Sequence, residues 1–122
     1  MKKILLFVSI LAISCNSDDN NDSTRTCTEE FVYGLNVNVK DAETDAVLQE
    51  GVLVKAVEGT YSETLETVES IPTFIGAGER PGSYVVTVSK EGYQTYTSPI
   101  VKVLADECHV LTETLNVELQ PE

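Results

Sequence analysis

The clearest pattern in the chain is an alternation of apolar and polar residues around Val86. Tyr84, Val86 and Val88 lie on one side of an extended chain, and hydroxyl-bearing residues occupy most positions on the other side. A period of two in β-branched and aromatic residues is typical of a strand with one buried face. Turn residues precede it at 80–82 and follow it at 90–92, before a second extended run. The pattern predicts a β-hairpin at the centre of the fold.

Other alternating stretches predict the remaining strands. A long first strand is predicted at 31–40 and a second strand at 52–57. A polar third strand at 60–68 is placed at a sheet edge, and a short fourth piece follows at 73–75. Two late strands are predicted at 95–104 and 109–119. The Gly-Ala-Gly sequence at 76–78 is interpreted as a turn. About seven short strands with turns roughly every ten residues are typical of an all-β sandwich. We therefore predict a single β-sandwich domain over residues 27–120.

The N-terminus has the pattern of a signal peptide. A basic segment at 1–3 precedes an apolar run at 4–13, which is shorter than the roughly 20 residues of a membrane-spanning helix. The run ends in a sequence that resembles a bacterial lipoprotein signal, in which the residue after the cleavage point is a lipid-bearing cysteine. Ser14 and Cys15 fit that signal, whereas Ala12 stands where leucine is usual. We predict a signal peptide at 1–14 and lipidation of Cys15; the alternative is an ordinary secretory signal.

The segment after Cys15 is polar and acidic. Residues 16–24 contain no apolar side chain, so residues 15–26 are predicted to form a disordered tether. Ser17, Asp18 and Asp19 resemble the acidic export signal that sends lipoproteins of the Bacteroidetes to the outer face of the outer membrane; the alternative is a plain linker. Ser23 lies in a sequence similar to the short O-glycosylation motif of that phylum. These resemblances imply a lipid-anchored protein of the outer membrane that faces the cell exterior.

The charge excludes one class of partner. The chain has 20 acidic and 8 basic residues, and loss of the signal peptide with Lys2 and Lys3 leaves a net charge of −14. Such a chain repels phosphate backbones, so no nucleic-acid partner is expected. The balance suits a solvated domain on a cell surface.

The cysteines predict a crosslink. If Cys15 carries lipid, Cys27 and Cys108 remain, and outside the cytoplasm such a pair is expected to be oxidised. Two alternatives are a pair of unlinked buried thiols and a metal site that includes His109. The metal site lacks the usual Cys-x-x-Cys spacing.

Residues with catalytic or metal-binding chemistry are few. His109 is the only histidine, so any Ser-His-Asp or Cys-His arrangement would have to use it, beside a cysteine that we expect to be crosslinked. Asp41, Glu43 and Asp45 have alternate spacing and are a weak calcium candidate, but the glycine and distal glutamate of an EF-hand loop are missing. We predict no enzyme activity and no cofactor.

Four stretches carry a resemblance to a known family, at 39–44, 50–54, 81–88 and 92–93. They are similar to carboxypeptidase regulatory-like domains, and the Gly-x-Tyr strand followed by Gly-Tyr is the most diagnostic part. The resemblance covers 31–119, and residues 106–110 with Cys27 look like a lipoprotein subgroup. It implies a transthyretin-like sandwich of the wider immunoglobulin-like type with a non-catalytic accessory role. Fold alone does not transmit function.

Two functions are expected from these features. The first is a surface-exposed interaction module whose loops or edge strand contact a protein or glycan. The alternative is a glycan-binding lipoprotein of a nutrient-uptake system. Carbohydrate sites usually present aromatic platforms, and Tyr61, Tyr93 and Tyr96 are the tyrosines that the core could spare. The absence of tryptophan counts against the alternative.

Overall fold

A computed structural model of the protein describes residues 26–122. Several predictions of the preceding section lie outside these residues. They are the signal peptide at 1–14, the lipidation site Cys15, the export run of Ser17, Asp18 and Asp19, the glycosylation candidate Ser23 and all of the tether except its last residue.

Nine strands make up the described part. In chain order they are β1 Tyr33–Asp41, β2 Leu53–Glu58, β3 Tyr61–Val68, β4 Ile71–Gly78, β5 Gly82–Ser89, β6 Tyr96–Thr97, β7 Val101–Ala105, β8 Val110–Leu111 and β9 Glu113–Leu119. The strands are hydrogen-bonded in the order β8-β7-β5-β2-β3-β4-β1-β9, with β6 beside β5. All of these pairs are antiparallel except β1 with β9. The sheet curls until it nearly closes on itself, which confirms the all-β sandwich.

The core is formed by the inward positions of the alternating strands. On β5, Tyr84, Val86 and Val88 are each 0% exposed, as the central pattern predicts. The other buried apolar residues are Leu35, Val37, Val39, Val54, Ala56, Leu65, Phe74, Ala77, Val103, Val110, Val117 and Leu119. Burial of these side chains supplies the main favourable free energy of folding.

The predicted hairpin around β5 is present, but its return strand is interrupted. β6 pairs with β5 over two residues only. The next residue, Ser98, bonds Val86 twice, because its N–H donates to the Val86 carbonyl at 2.8 Å and its Oγ accepts from the Val86 N–H at 2.9 Å. Pro99 has no N–H to continue a ladder, and regular pairing with β5 resumes at Val101.

Two sequence predictions on the strands are wrong. β3 is not an edge, because it pairs with both β2 and β4; its polar residues face solvent from inside the sheet. The Gly-Ala-Gly sequence is not a turn but the end of β4. Its small residues leave room for Leu65, since a Cβ on Gly76 would lie 2.6 Å from Leu65 Cγ. Ala77 has a φ of 53°, a local irregularity of the strand.

The strand directions define two ends of the sandwich. The disulfide end contains the start of the described chain and the connections at 59–60, 79–81 and 106–109. The far end contains the connections at 42–52, 69–70 and 90–95 and the C-terminal residues 120–122. These assignments follow from the antiparallel ladder and from β9 running parallel to β1.

Candidate functional site

The disulfide between Cys27 and Cys108 closes the first of these ends. The two Cα atoms are 5.2 Å apart across 81 residues of sequence, a separation typical of disulfides. The bond joins the segment before β1 to the loop before β8. The predicted crosslink is confirmed, and the alternatives of unlinked thiols and of a metal site at these cysteines are excluded.

His109 connects two segments beside the disulfide. Its Nδ1 lies 2.7 Å from Glu79 Oε2, and its Nε2 lies 3.0 Å from Thr28 Oγ1. Glu79 Oε2 also accepts the Val32 N–H at 2.9 Å. The hydrogen bond to Glu79 raises the pKa of His109, and the N–H of Val32, followed by His109, lowers the pKa of Glu79. Both ring nitrogens are engaged in holding the chain together.

Arg80 forms a second polar cluster at this end. Its Nη1 donates to Glu58 Oε1 at 2.8 Å and contacts Tyr84 Oη at 2.9 Å, while Tyr84 Oη donates to the Arg80 carbonyl at 2.7 Å. The guanidinium carbon lies 3.6 Å from the centre of the Tyr61 ring. The Ser83 N–H, followed by Arg80, lowers the pKa of Glu58. The cluster fixes the turn before β5.

Asp41 anchors the loop at the far end. It is 7% exposed. Its Oδ1 accepts the N–H groups of Glu43 and Thr44 at 2.7 and 2.9 Å, and its Oδ2 accepts the hydroxyl of Tyr93 at 2.6 Å. Hydrogen bonding by Tyr93, then by the two backbone donors, lowers the pKa of Asp41.

The three carboxylates of the weak calcium candidate do not form one site. Asp41 holds the loop, whereas Glu43 is exposed and contributes its N–H to that carboxylate. Asp45 instead lies 3.4 Å from Lys40 Nζ. Within residues 26–122, no group of three His, Cys, Asp or Glu side chains is arranged to hold a metal ion.

The three candidate aromatic platforms take part in internal contacts. The guanidinium of Arg80 covers one face of Tyr61. The Tyr93 hydroxyl donates to Asp41. All three tyrosines, including Tyr96, pack against the core as partly buried residues. None of them is a free ring on a flat surface.

A row of side-chain hydrogen bonds crosses the outer face of three strands. Thr73 Oγ1 on β4 donates to Asn38 Oδ1 on β1 at 2.7 Å, and Asn38 Nδ2 donates to Asn116 Oδ1 on β9 at 3.0 Å. Asn38 and Asn116 are register partners. We call these three residues the amide row. Its bonds fix the orientation of both carboxamides.

A notch of about 290 Å³ lies next to the amide row. Its lining residues are Asn38, Val39, Lys40, Asp45, Val47, Pro72 and Asn116. The notch exists because β4 pairs with β1 only as far as Phe74 opposite Val37, whereas Val47 pairs with β1 at Lys40. Between these points the Val39 carbonyl accepts the Leu48 N–H at 2.9 Å, so the neighbour of β1 changes from β4 to the loop at 42–52 beside Asn38. A second hollow of about 290 Å³, lined by 47–50 and Lys90, also lies at the far end.

The notch and the amide row are sites that the sequence reasoning missed. The two asparagines are 78 residues apart, and only the register of β1 with β9 brings them together. The sequence signal was a pair of polar residues at alternate positions on two strands, and many solvent-facing strands share it.

Comparison with known proteins does not assign the chain to a family. No protein-family model and no curated protein sequence matches the chain. The resemblance to carboxypeptidase regulatory-like domains therefore stays a prediction. Among residues 26–122, no helix has the length and apolar character required to cross a bilayer.

Proposed function

We propose that the protein is an outer-membrane lipoprotein, anchored through Cys15, whose β-sandwich faces the cell exterior and acts as a non-catalytic interaction module. The observation that carries the proposal is the Cys27–Cys108 disulfide. A structural disulfide is typical of proteins outside the cytoplasm. It also uses two of the three cysteines, so that the remaining one is the cysteine of the lipoprotein-like signal.

The short connection to the anchor supports a defined orientation. Eleven residues lie between Cys15 and Cys27, and a flexible chain of that length spans about 20 Å on average. The disulfide end would therefore lie close to the membrane. The far end, with the notch, would point away from it and be accessible to partners.

The internal use of polar side chains supports binding over catalysis. The sole imidazole of the chain is engaged on both nitrogens, and Glu79, Glu58 and Asp41 hold backbone N–H groups of turns and loops. These arrangements stabilise connections between strands. They fit the accessory role that the resemblance to carboxypeptidase regulatory-like domains implies.

The anchor is tested by fractionation of the Cys15→Ser variant. Two acyl chains give stable membrane attachment, so the wild-type chain should label with palmitate and sediment with membranes. The variant should lose the label and appear in the soluble fraction. A Cys27→Ser, Cys108→Ser double variant is the control, because it should keep both label and membrane attachment. A Cys15→Ser chain that still sediments, with no palmitate on the wild type, would refute the anchor.

A second candidate function is glycan binding at the notch. Oriented carboxamides, one cation and one carboxylate suit a neutral ligand rich in hydroxyl groups. On a glycan array, the wild-type chain should retain a neutral saccharide that Asn38→Ala loses. Thr64→Ala, an exposed residue of β3 away from the notch, is the matched control. Equal signals from the two variants would remove this candidate.

A further inference from the structure

The sandwich is open along one side. Among the described strands, β9 pairs with β1 alone. On the other side of the opening, β6 and β7 pair with β5. The opening is closed at the far end by a bridge between Tyr93 and Pro121, and at the disulfide end by the pairing of β7 with β8. We call this opening, between β9 and the segment 96–103, the seam.

Three inward-pointing side chains at the seam are incompletely covered. Leu115, Tyr96 and Val101 are only partly buried. Each lies opposite a residue that is 0% exposed on the neighbouring strand; these partners are Val37, Val88 and Tyr84. Because register partners share one face of a sheet, all three side chains point to the interior. Their remaining exposure arises from the missing strand beside them.

The amide row ends at the seam. Asn116 Oδ1 accepts from Asn38, but within residues 26–122 the Nδ2 of Asn116 donates to no protein group. The row runs perpendicular to the strands, in the direction in which a further strand would be added to the sheet. A further strand with a carboxamide or hydroxyl opposite Asn116 would continue it, as amide ladders do in stacked strands.

We propose that the seam binds an extended segment of another protein, which adds to β9 as an extra strand. Backbone hydrogen bonds along β9 would supply affinity, and alternate side chains would supply specificity. The partner would place an apolar residue over Leu115 and an Asn, Gln, Ser or Thr opposite Asn116.

Charge selects the kind of partner. Glu113 and Glu118 are exposed on β9, and the chain has a net charge of −12. A segment with Lys or Arg at its ends complements these glutamates. A second copy of the chain carries the same negative charge and would be repelled. The glutamates also protect the edge from unspecific strand pairing.

The proposal specifies the surface and partner class of the interaction module, and in that sense rests on the proposed function. Its test needs neither a cell nor a native membrane. The full chain, oxidised and in detergent micelles, is mixed with the synthetic peptide Lys-Val-Thr-Val-Asn-Val-Thr-Val-Lys. Hydrogen exchange should slow by at least about tenfold at alternate amides of Glu113–Leu119, and amides of β2 and β3 should be unchanged.

Two N-methylated forms of the peptide separate backbone pairing from side-chain contact. One carries methyl groups on the alternate amides of one edge, and the other carries them on the amides of the opposite edge. Only one of the two should bind, because a strand added to β9 uses a single edge. A peptide with Glu in place of both Lys should bind more weakly at low salt.

The Asn116→Ala variant tests the register. It should weaken peptide binding about fivefold, the equivalent of one hydrogen bond, and Thr114→Ala on the same face of β9 should not. Equal binding of both N-methylated peptides, protection elsewhere in the chain, no protection at about 1 mM peptide, or self-association through β9 would overturn the proposal. A positive peptide result together with failed membrane attachment would refute the anchor alone.

Discussion

His109 joins the start of the domain to the turn before β5 with one ring. Its two nitrogens contact Glu79 and Thr28, and the neighbouring Asp106 Oδ1 accepts the N–H groups of Cys108 and His109, both at 2.8 Å. A protonated imidazole donates from both nitrogens, which strengthens its bond to the carboxylate of Glu79. The connection should therefore depend on pH.

The free energy of unfolding should fall as the pH rises above about 6.5. The folded chain raises the pKa of His109 above its ordinary value of 6.5, so this residue stabilises the fold below that pH and ceases to do so as the pH rises through its folded pKa. Glu79 has a pKa lowered from 4.5, so its contribution is present above 4.5 and is lost as the pH falls through the folded value. The ion pair between His109 and Glu79 therefore stabilises the fold most between pH 4.5 and pH 6.5.

Thermal unfolding at a series of pH values checks this prediction. The wild-type melting temperature should decline as the pH rises above about 6.5, and His109→Gln should remove that decline. Glu91→Gln, an exposed carboxylate in the turn after β5, is the control and should keep it. The loss of stability at low pH is a less specific test of Glu79, because Asp41 and Glu58 also have lowered pKa values. An alkaline decline of equal size in His109→Gln would contradict the assignment.

The sequence pattern predicted which residues of the strands point inward, but it did not predict which strands pair with each other. The period of two identified the buried residues of β1, β2, β5 and β9, because one face of each strand is covered. It could not place β3, whose alternating polar residues look the same at an edge and inside a half-solvated sheet. The glycines of β4 were interpreted as a turn, whereas Gly76 leaves room for the Leu65 side chain and Gly78 leaves room for the Phe31 ring.

The candidate sites depend on register, which the sequence alone does not reveal. The amide row needs Asn38 opposite Asn116, and the notch needs β4 to end its pairing before the Lys40–Val47 bridge begins. The cysteines were different, because compartment chemistry restricts their partners. The disulfide was therefore predictable from composition and position, and the binding surfaces were not.

Reduction or removal of the disulfide should destabilise the domain. Crosslinking residues 81 apart in sequence restricts the unfolded chain by about 4 kcal/mol on the chain-entropy view. A loss of about 3 kcal/mol would lower the melting temperature by roughly 10–20 °C for a domain of this size. The Cys27→Ala, Cys108→Ala double variant should show this shift, and Cys15→Ser should not. Free thiols that titrate in the unreduced, undenatured chain would rule out the crosslink.

The two ends of the sandwich differ in what they offer. Short polar connections, the disulfide and the clusters around His109 and Arg80 close one end. The other end contains the notch, and the seam runs between the two. If a lipid at Cys15 holds the first end near the membrane, the surfaces proposed for binding face outward. Whether partners outside the cell can reach these surfaces then depends on the direction in which the protein is displayed.

Display on the cell exterior should depend on Asp18 and Asp19. We expect the Asp18→Ala, Asp19→Ala variant to keep its palmitate label, because Cys15 and the signal before it are unchanged, but to become resistant to protease added to whole cells. Glu29→Ala with Glu30→Ala is the matched control, since it removes the same charge outside the run and should remain accessible to protease. Immunoblots of shaved and unshaved cells measure both. If the first variant is digested as readily as the control, the acidic run is only a linker, and the outward orientation needs another signal.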